Sequence, residues 1–190
     1  CRAGGLFWAR LDYAPARGIH ASTGSLGHGL GIAAGQALAE KVRGSGIRVF
    51  CLLSDGECQE GSTWEAAMVA VNLKLSNLTA VVDYNDWGGM EQLSSAFPAL
   101  SPLTDKFRAF GWWCPSTHFV DGHDVSLTSY MRGRLQYGSY EGLPRAVTCK
   151  TTKGKGVSFI EAGQPLWHYR SPSPDEYQQA LKEIDGCVSS

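Results

Sequence analysis

"IRVFCLLSDGECQEGSTWEAAMVAVNLKLSNLTAVVDY", residues 47 to 84, holds two apolar runs separated by a polar turn and a stretch of helical character. The first run, residues 47–54, has no polar alternation, and this predicts a buried strand, central in a parallel sheet. A helix is expected over residues 63–75, and a second buried strand over 78–84. Strand, helix and strand in this order make a βαβ unit. The fold class is therefore α/β, a parallel sheet flanked by helices.

Upstream, "TGSLGHGLGIAAGQALAE", residues 23–40, crowds glycines at the start of a helix expected over 26–42, where Ile32, Ala33, Gln36, Ala37 and Glu40 recur at helical spacing. Downstream, the pattern weakens into a loop from Asn85 to about Ser101. It then predicts a helix over 103–110, a strand over 118–120, a helix from 124 to about 135, a strand over 145–150 and a last helix over 174–184. Prolines and acids head that last helix, as a helix start prefers.

With 190 residues, 43% of them apolar, the chain suffices for one well-buried domain, and residues 1–190 are read as a single one. Its first residue is Cys1, so that domain is expected to be an N-terminally incomplete one or a fragment. A net charge of −1 without basic runs argues against nucleic-acid and anionic-membrane partners. No apolar stretch approaches the roughly eighteen residues of a membrane span. The six cysteines show no metal-binding spacing, and Cys51 and Cys149 sit inside apolar runs as small hydrophobes, so a reducing cytoplasmic setting is expected.

A glycine-rich helix start lets an anion approach free backbone N–H groups, and equally it permits a tight turn. Gly29, Gly31 and Ala34 also fit the GxGxxA form of a dinucleotide fingerprint, with Asp55 further on. That fingerprint requires a strand entering the first glycine, and "APARGIHAS" offers none. Asp55 and Asn85, thirty positions apart, end the two predicted core strands and so face the same edge of the sheet. A carboxylate and an amide oxygen there, with a backbone carbonyl nearby, suit Mg²⁺, which keeps positions open for phosphate oxygens. Glycine loop and metal ligands then form one diphosphate site.

These residues resemble the thiamine diphosphate enzymes, most closely the transketolases. "SDG" and "YN" have the spacing of that family's metal motif, and "TGSLGHGLG", "DGECQEGSTWEAA", "VDYN", "DGHD" and "KTTKGKGVSF...WHYR" are similar to its text across roughly residues 18–184. The resemblance implies a thiamine diphosphate-binding fold, with thiamine diphosphate and Mg²⁺ or another divalent cation as cofactors. It implies metal ligation by Asp55, Asn85 and the backbone oxygen of Trp87. Cofactor contacts would come from Gly24, Ser25, Leu26, Gly27, His28, Gly56, Glu57, Glu60, Asn85 and His168, and catalytic roles from His168 and His20.

Bland alternatives stand beside several of these. Glu60 also reads as a helix-start acid, and His28 as a helix cap. His118 and His123 are expected to be structural, Lys153 and Lys155 form a basic loop that could meet an anionic substrate, and Phe110, Trp112 and Trp113 read as core or partner surface. Three departures from the family pattern stand out. Ser54 replaces a glycine, Asp86 adds a charge beside Asn85, and "CRAGGLFWARLDYAPAR" lacks the helical segment with a Gly-His motif.

The implied activity is transfer of a two-carbon ketol unit between a ketose and an aldose, as sugar phosphates or related sugars. Only the diphosphate half of the family's two related domains is recognisable. The resemblance therefore implies a split enzyme whose separate subunit carries the pyrimidine domain, in a hetero-oligomer with two copies of each chain. The alternatives are an NAD-binding Rossmann domain and a catalytically silent binding or regulatory subunit.

Overall fold

The computed structural model describes residues 13–14, 19–116, 119–124, 142–163 and 166–188. In chain order the elements are α1 (Gly29–Arg43), β1 (Val49–Ser54), a 3-10 turn (Gly56–Gln59), α2 (Gly61–Asn72), β2 (Leu78–Tyr84), β3 (Trp87–Gly88), β4 (Glu91–Gln92), α3 (Leu93–Ala96) and a 3-10 turn (Pro98–Leu100). Then follow α4 (Leu103–Ala109), β5 (Val120–Asp121), β6 (Arg145–Lys150), α5 (Ser158–Ala162), a 3-10 turn (Leu166–His168) and α6 (Pro174–Val188). The main sheet is parallel throughout, in the order β1-β2-β6-β5. The α/β architecture read from residues 47–84 is the one observed.

The register sorts the sheet into two faces. Cys51 pairs with Ala80 and Ala80 with Ala146, and Leu53 pairs with Val82, so these side chains share a face. On that face they form one buried cluster with Leu30, Ala33, Ala34 and Ala37 of α1, Ala67 and Ala70 of α2, and Leu103 and Phe107 of α4. Alanines along the inner stripe of α1 let it lie close to the strands, while Ile32, expected in that stripe, faces outward. Gly44, at φ 64°, ends α1, and its N–H reaches back to the carbonyls of Glu40 and Lys41. The Lys41 ammonium donates to the Leu73 and Lys74 carbonyls at 2.7 and 3.0 Å, closing the end of α2 with a cation.

β1 does not lie at the centre of the sheet. Among the described residues it is the edge strand, and Phe50 and Leu52 are 54% and 71% exposed. The run reads as doubly buried because no polar residue separates Phe50 and Leu52 from Cys51 and Leu53, yet only the latter pair meets helices. β2 and β6 have the expected bounds, whereas α1 starts at Gly29 rather than at 26, α2 spans 61–72 rather than 63–75, and α6 runs on to Val188. The stretch after Asn85, expected as loop, carries the β3–β4 hairpin, α3 and a 3-10 turn. Two-residue strands have no period to read. α5 is a further element without a periodic signal, and the helix expected from 124 to 135 falls mainly outside the described residues, as does His118.

Phe107 is fully buried at the hub of an aromatic group, with ring centroids 5.2 Å from Trp64 and 5.4 Å from Trp112. Trp112 is therefore core, as is much of Phe110, which stacks on Trp64 at 5.3 Å. Phe107→Ala should cost about 3–5 kcal/mol in a urea titration; a loss below about 1 kcal/mol would contradict this placement of α4 against the sheet.

Candidate diphosphate and metal site

Three segments meet at the C-terminal edge of β1 and β2. Asp55 follows β1 with its side chain fully buried, and its backbone N–H donates to the Asp83 carbonyl at 3.0 Å. Its carboxylate accepts from the Gly56 N–H at 2.8 Å and from the Asp86 N–H at 2.6 Å, so one side chain ties the end of β1 to the turn after β2. Burial pushes the Asp55 carboxyl up to about 6, against the lowering pull of the Asp86 and Gly56 amides. Among the described residues no basic side chain forms an ion pair with it, and at neutral pH the group is a buried anion held by amide dipoles.

Asn85 follows β2. Its Oδ1 accepts from the Trp87 N–H at 3.0 Å and its Nδ2 donates to Asp83 Oδ2 at 3.0 Å. A Cβ on Gly56 would stand 3.3 Å from Gly88 Cα and 3.9 Å from the Trp87 carbonyl oxygen, which brings that oxygen beside the Asp55–Gly56 peptide. The available donors are thus one carboxylate, one amide oxygen and one backbone carbonyl. These are hard oxygen ligands, which fit Mg²⁺. Among the described residues no three His, Cys, Asp or Glu side chains gather as a metal cluster, so this set resembles no zinc site.

The glycine loop is clamped onto this edge. Gly27, at φ 79°, donates its N–H to the buried Glu57 Oε1 at 3.0 Å, and its carbonyl accepts from Ser62 Oγ at 2.8 Å. A Cβ there would lie 2.4 Å from Ser62 Oγ and 2.8 Å from Glu60 Cβ. Glu57 therefore holds the loop through one of its two carboxylate oxygens. Gly24, Ser25 and Leu26 are exposed at the turn before α1. Ser22, Thr23, Gly24, Ser25, His28 and Ile32 line an open depression of about 360 Å³ there. His28 occupies the N-cap position without capping by its side chain, and its Nδ1 pairs instead with the Leu26 carbonyl at 2.9 Å. Glu60 is the N-cap of α2, also with no side-chain cap, and it is exposed. His20 is exposed, and its carbonyl accepts from Gln36 Nε2 at 3.2 Å.

His168 arrives from the 3-10 turn after α5, and its Nδ1 lies 2.8 Å from the Lys153 ammonium. An ammonium has only protons to offer, so Nδ1 accepts and the proton of the neutral ring sits on Nε2. Burial, then the Lys153 charge, lowers the His168 pKa and favours this neutral form. Burial likewise lowers Lys153, while the charges of Asp55 and Asp83 oppose that shift, which puts the lysine within their field.

Two expectations change. The Asp86 carboxylate, expected as an added charge beside Asn85, is held by hydrogen bonds of its own. With φ at 71°, it turns to accept from the Ser94 N–H and Oγ and from Gln92 Nε2. The dinucleotide fingerprint also fails, because residues 21–28 before α1 form turns and coil instead of a strand. Asp83, Thr151 and Ser62 lie inside stretches that resemble the family, but no spacing marks them individually, although Asp83, two positions before Asn85 on an extended strand, shares its side. His123 Nε2 accepts from the Thr152 N–H at 2.7 Å, which ties the turn after β5 to the segment after β6.

Comparison with known proteins agrees with this fold. A family model described as "Transketolase, thiamine diphosphate binding domain" matches residues 11–182. The chain belongs to the transketolase family. It is 41% identical over 179 residues to a putative uncharacterized transketolase family protein of Sinorhizobium fredii, covering 91% of this chain and 60% of that one. It is 39% identical over 167 residues to an apulose-4-phosphate transketolase subunit from Actinobacillus succinogenes, covering 88% and 58%. A transketolase from Campylobacter jejuni superposes with a TM-score of 0.72 at 25% identity, over 86% of this chain and 26% of that one. The chain thus spans about three fifths of the length of the curated relatives it matches first.

The clamp on Gly27 can be tested against Gly31, in the first turn of α1. Gly27→Ala should cost about 1–3 kcal/mol of strain and weaken diphosphate binding. Gly31, with nothing within 4 Å of a Cβ, should accept alanine with no loss of either. Thermal melts and pyrophosphate titrations of both variants check this, and equal behaviour of the two would contradict the clamp.

Proposed function

We propose that this chain is the diphosphate- and Mg²⁺-binding subunit of a two-component transketolase that transfers a two-carbon ketol unit from a ketose to an aldose, as sugar phosphates or related sugars. The observation that supports this most is the meeting of Asp55, Asn85 and the Trp87 carbonyl at one sheet edge, beside a glycine loop pinned at Gly27. Thiamine diphosphate, when bound, supplies the carbanion-stabilising chemistry that a ketol transfer needs. The chain's own groups anchor and orient. Asp55, Asn85 and the Trp87 carbonyl would hold the cation, and the loop from Gly24 to His28 would face the diphosphate with backbone N–H groups other than that of Gly27, which Glu57 holds. His168, neutral with a proton on Nε2, can donate a hydrogen bond to a phosphate or a sugar oxygen, and Lys153 keeps it in that state. The exposed His20 is a candidate for the substrate side, and Gly56 and Glu60 for the surroundings of the cofactor.

The names of relatives support a separate partner. The apulose-4-phosphate transketolase relative from Actinobacillus and a 6-deoxy-6-sulfo-D-fructose transketolase relative from Clostridium, the latter 34% identical over 184 residues, are both named as subunits. Leu26 and Ile32 stand exposed beside the glycine loop, as a surface awaiting a second polypeptide would. The partner supplies the pyrimidine domain, and a closed assembly of two copies of each chain is the simplest symmetric arrangement. The cysteines Cys51, Cys58, Cys114 and Cys149 are free thiols, which suits a reducing cytoplasm, and no helix among the described residues is long and apolar enough to cross a membrane.

Two measurements test the proposal together. Asp55→Ala should abolish Mg²⁺-dependent thiamine diphosphate binding while far-UV circular dichroism stays native; unchanged affinity would refute the metal site. The purified chain, given a ketose donor, an aldose acceptor, thiamine diphosphate and Mg²⁺, should be inactive until the pyrimidine-domain subunit is added. Robust turnover by a preparation free of any other polypeptide would refute partner dependence.

A further inference from the structure

Asp83 is the penultimate residue of the inner strand β2, two positions before Asn85, and both of its carboxylate oxygens are engaged. Oδ1 accepts a short hydrogen bond from the Thr151 hydroxyl, just past β6, and Oδ2 accepts from Asn85 Nδ2 at 3.0 Å. The orientation of a side-chain amide is decided by its neighbours, and here two neighbours agree. A carboxylate, which only accepts, faces one end of the Asn85 amide, and the Trp87 N–H, which only donates, faces the other at 3.0 Å. The amide nitrogen is therefore turned toward Asp83 and the oxygen toward the turn that carries the Trp87 carbonyl. One lone pair of Oδ1 takes the Trp87 proton, and the other is left for a cation.

We propose that Asp83 is a positioning residue of this site, which with Thr151 behind it locks the Asn85 amide in the one orientation that offers oxygen, and not NH₂, to the metal. This rests on the reading of Asp55 and Asn85 as metal ligands. A rotated amide would present two protons to a divalent cation, which is repulsive, so loss of the lock removes a ligand without removing the ligand residue. The Trp87 N–H still favours the correct orientation by itself, so the loss is partial. Groups that orient metal ligands in this way characteristically change affinity by about ten- to a hundredfold. Thr151 serves at one remove. By donating to Oδ1 it fixes the carboxylate plane, and with it the aim of Oδ2.

Mn²⁺ titrations of the full chain at fixed thiamine diphosphate, followed by the EPR signal of the free ion, test this without any assay of turnover. Asp83→Ala should weaken Mn²⁺ by about tenfold or more. Asp83→Asn, which keeps a carbonyl to accept from Asn85 and an amide to face Thr151 Oγ1, should stay within about threefold of the parent. In an Asn85→Asp background, where oxygen is presented whichever way the group turns, removing Asp83 should cost nothing or tighten binding by relieving repulsion between carboxylates. A comparable loss on Asp83→Ala in both backgrounds, or a loss with Asp83→Asn as large as with Asp83→Ala, would mean that only the charge of Asp83 matters and would overturn the proposal. Thr151→Val should weaken Mn²⁺ in the same direction by less, and it carries the test if Asp83→Ala does not fold. Unchanged affinity in the hydroxyl and alanine variants overturns the proposal alone if Asp55→Ala abolishes binding, whereas unchanged affinity in Asp55→Ala overturns the metal-site reading beneath it.

Discussion

A buried carboxylate held by backbone amides is the constraint around which this structure is arranged. Asp55 sits where β1 meets the 3-10 turn, shielded from solvent, and its two oxygens are held by the Gly56 and Asp86 amides. Burying a charge is costly unless it is compensated, and backbone dipoles compensate only in part, as the upward shift of its pKa to about 6 reflects. A divalent cation would offset the remainder. The same two hydrogen bonds fix the turn after β2 against the turn after β1, so the group that most needs a cation also brings the other oxygen donors into reach.

From that point the order propagates in two directions. Toward α1, Glu57 and Ser62 grip the two ends of the Gly27 peptide, so the glycine loop takes its position from the segment that begins at Asp55. Toward β6, Asp83 and Thr151 connect the Asn85 amide to the next strand. The parallel sheet makes both connections possible, because it delivers the ends of β1, β2 and β6 to one edge, where open α/β folds bind ligands. Lys153 and His168 reach the same edge from beyond β6.

Much of this could be read from residue order, and the failures have physical causes. β2 and β6 are dense in apolar and β-branched residues and bounded by Asn77 and Pro144, so their limits are legible. β1 misleads, because Phe50 and Leu52 look like core residues and yet lie on an open face at the edge of the described sheet. The placement of Asp55 and Asn85 at the ends of neighbouring strands was legible, since their spacing follows from the length of one βαβ unit. The direction of a side chain beyond a strand was not. Asp86 sits next to Asn85 in sequence but at positive φ accepts from Ser94, and Glu57 Oε1 accepts from a loop thirty residues earlier. Such long-range hydrogen bonds leave no periodic trace.

Membership of the transketolase family gives the diphosphate edge its chemical context, and the central claim is that a cation held by this edge joins cofactor to protein. Anomalous diffraction from crystals of the chain grown with Mn²⁺ and thiamine diphosphate tests it most directly. The account predicts one strong peak about 2.0–2.3 Å from an Asp55 carboxylate oxygen, Asn85 Oδ1 and the Trp87 carbonyl oxygen, with diphosphate oxygens completing the shell. A diphosphate seated against the glycine loop with no metal between it and Asp55, or a peak that omits Asp55 and Asn85, would contradict it.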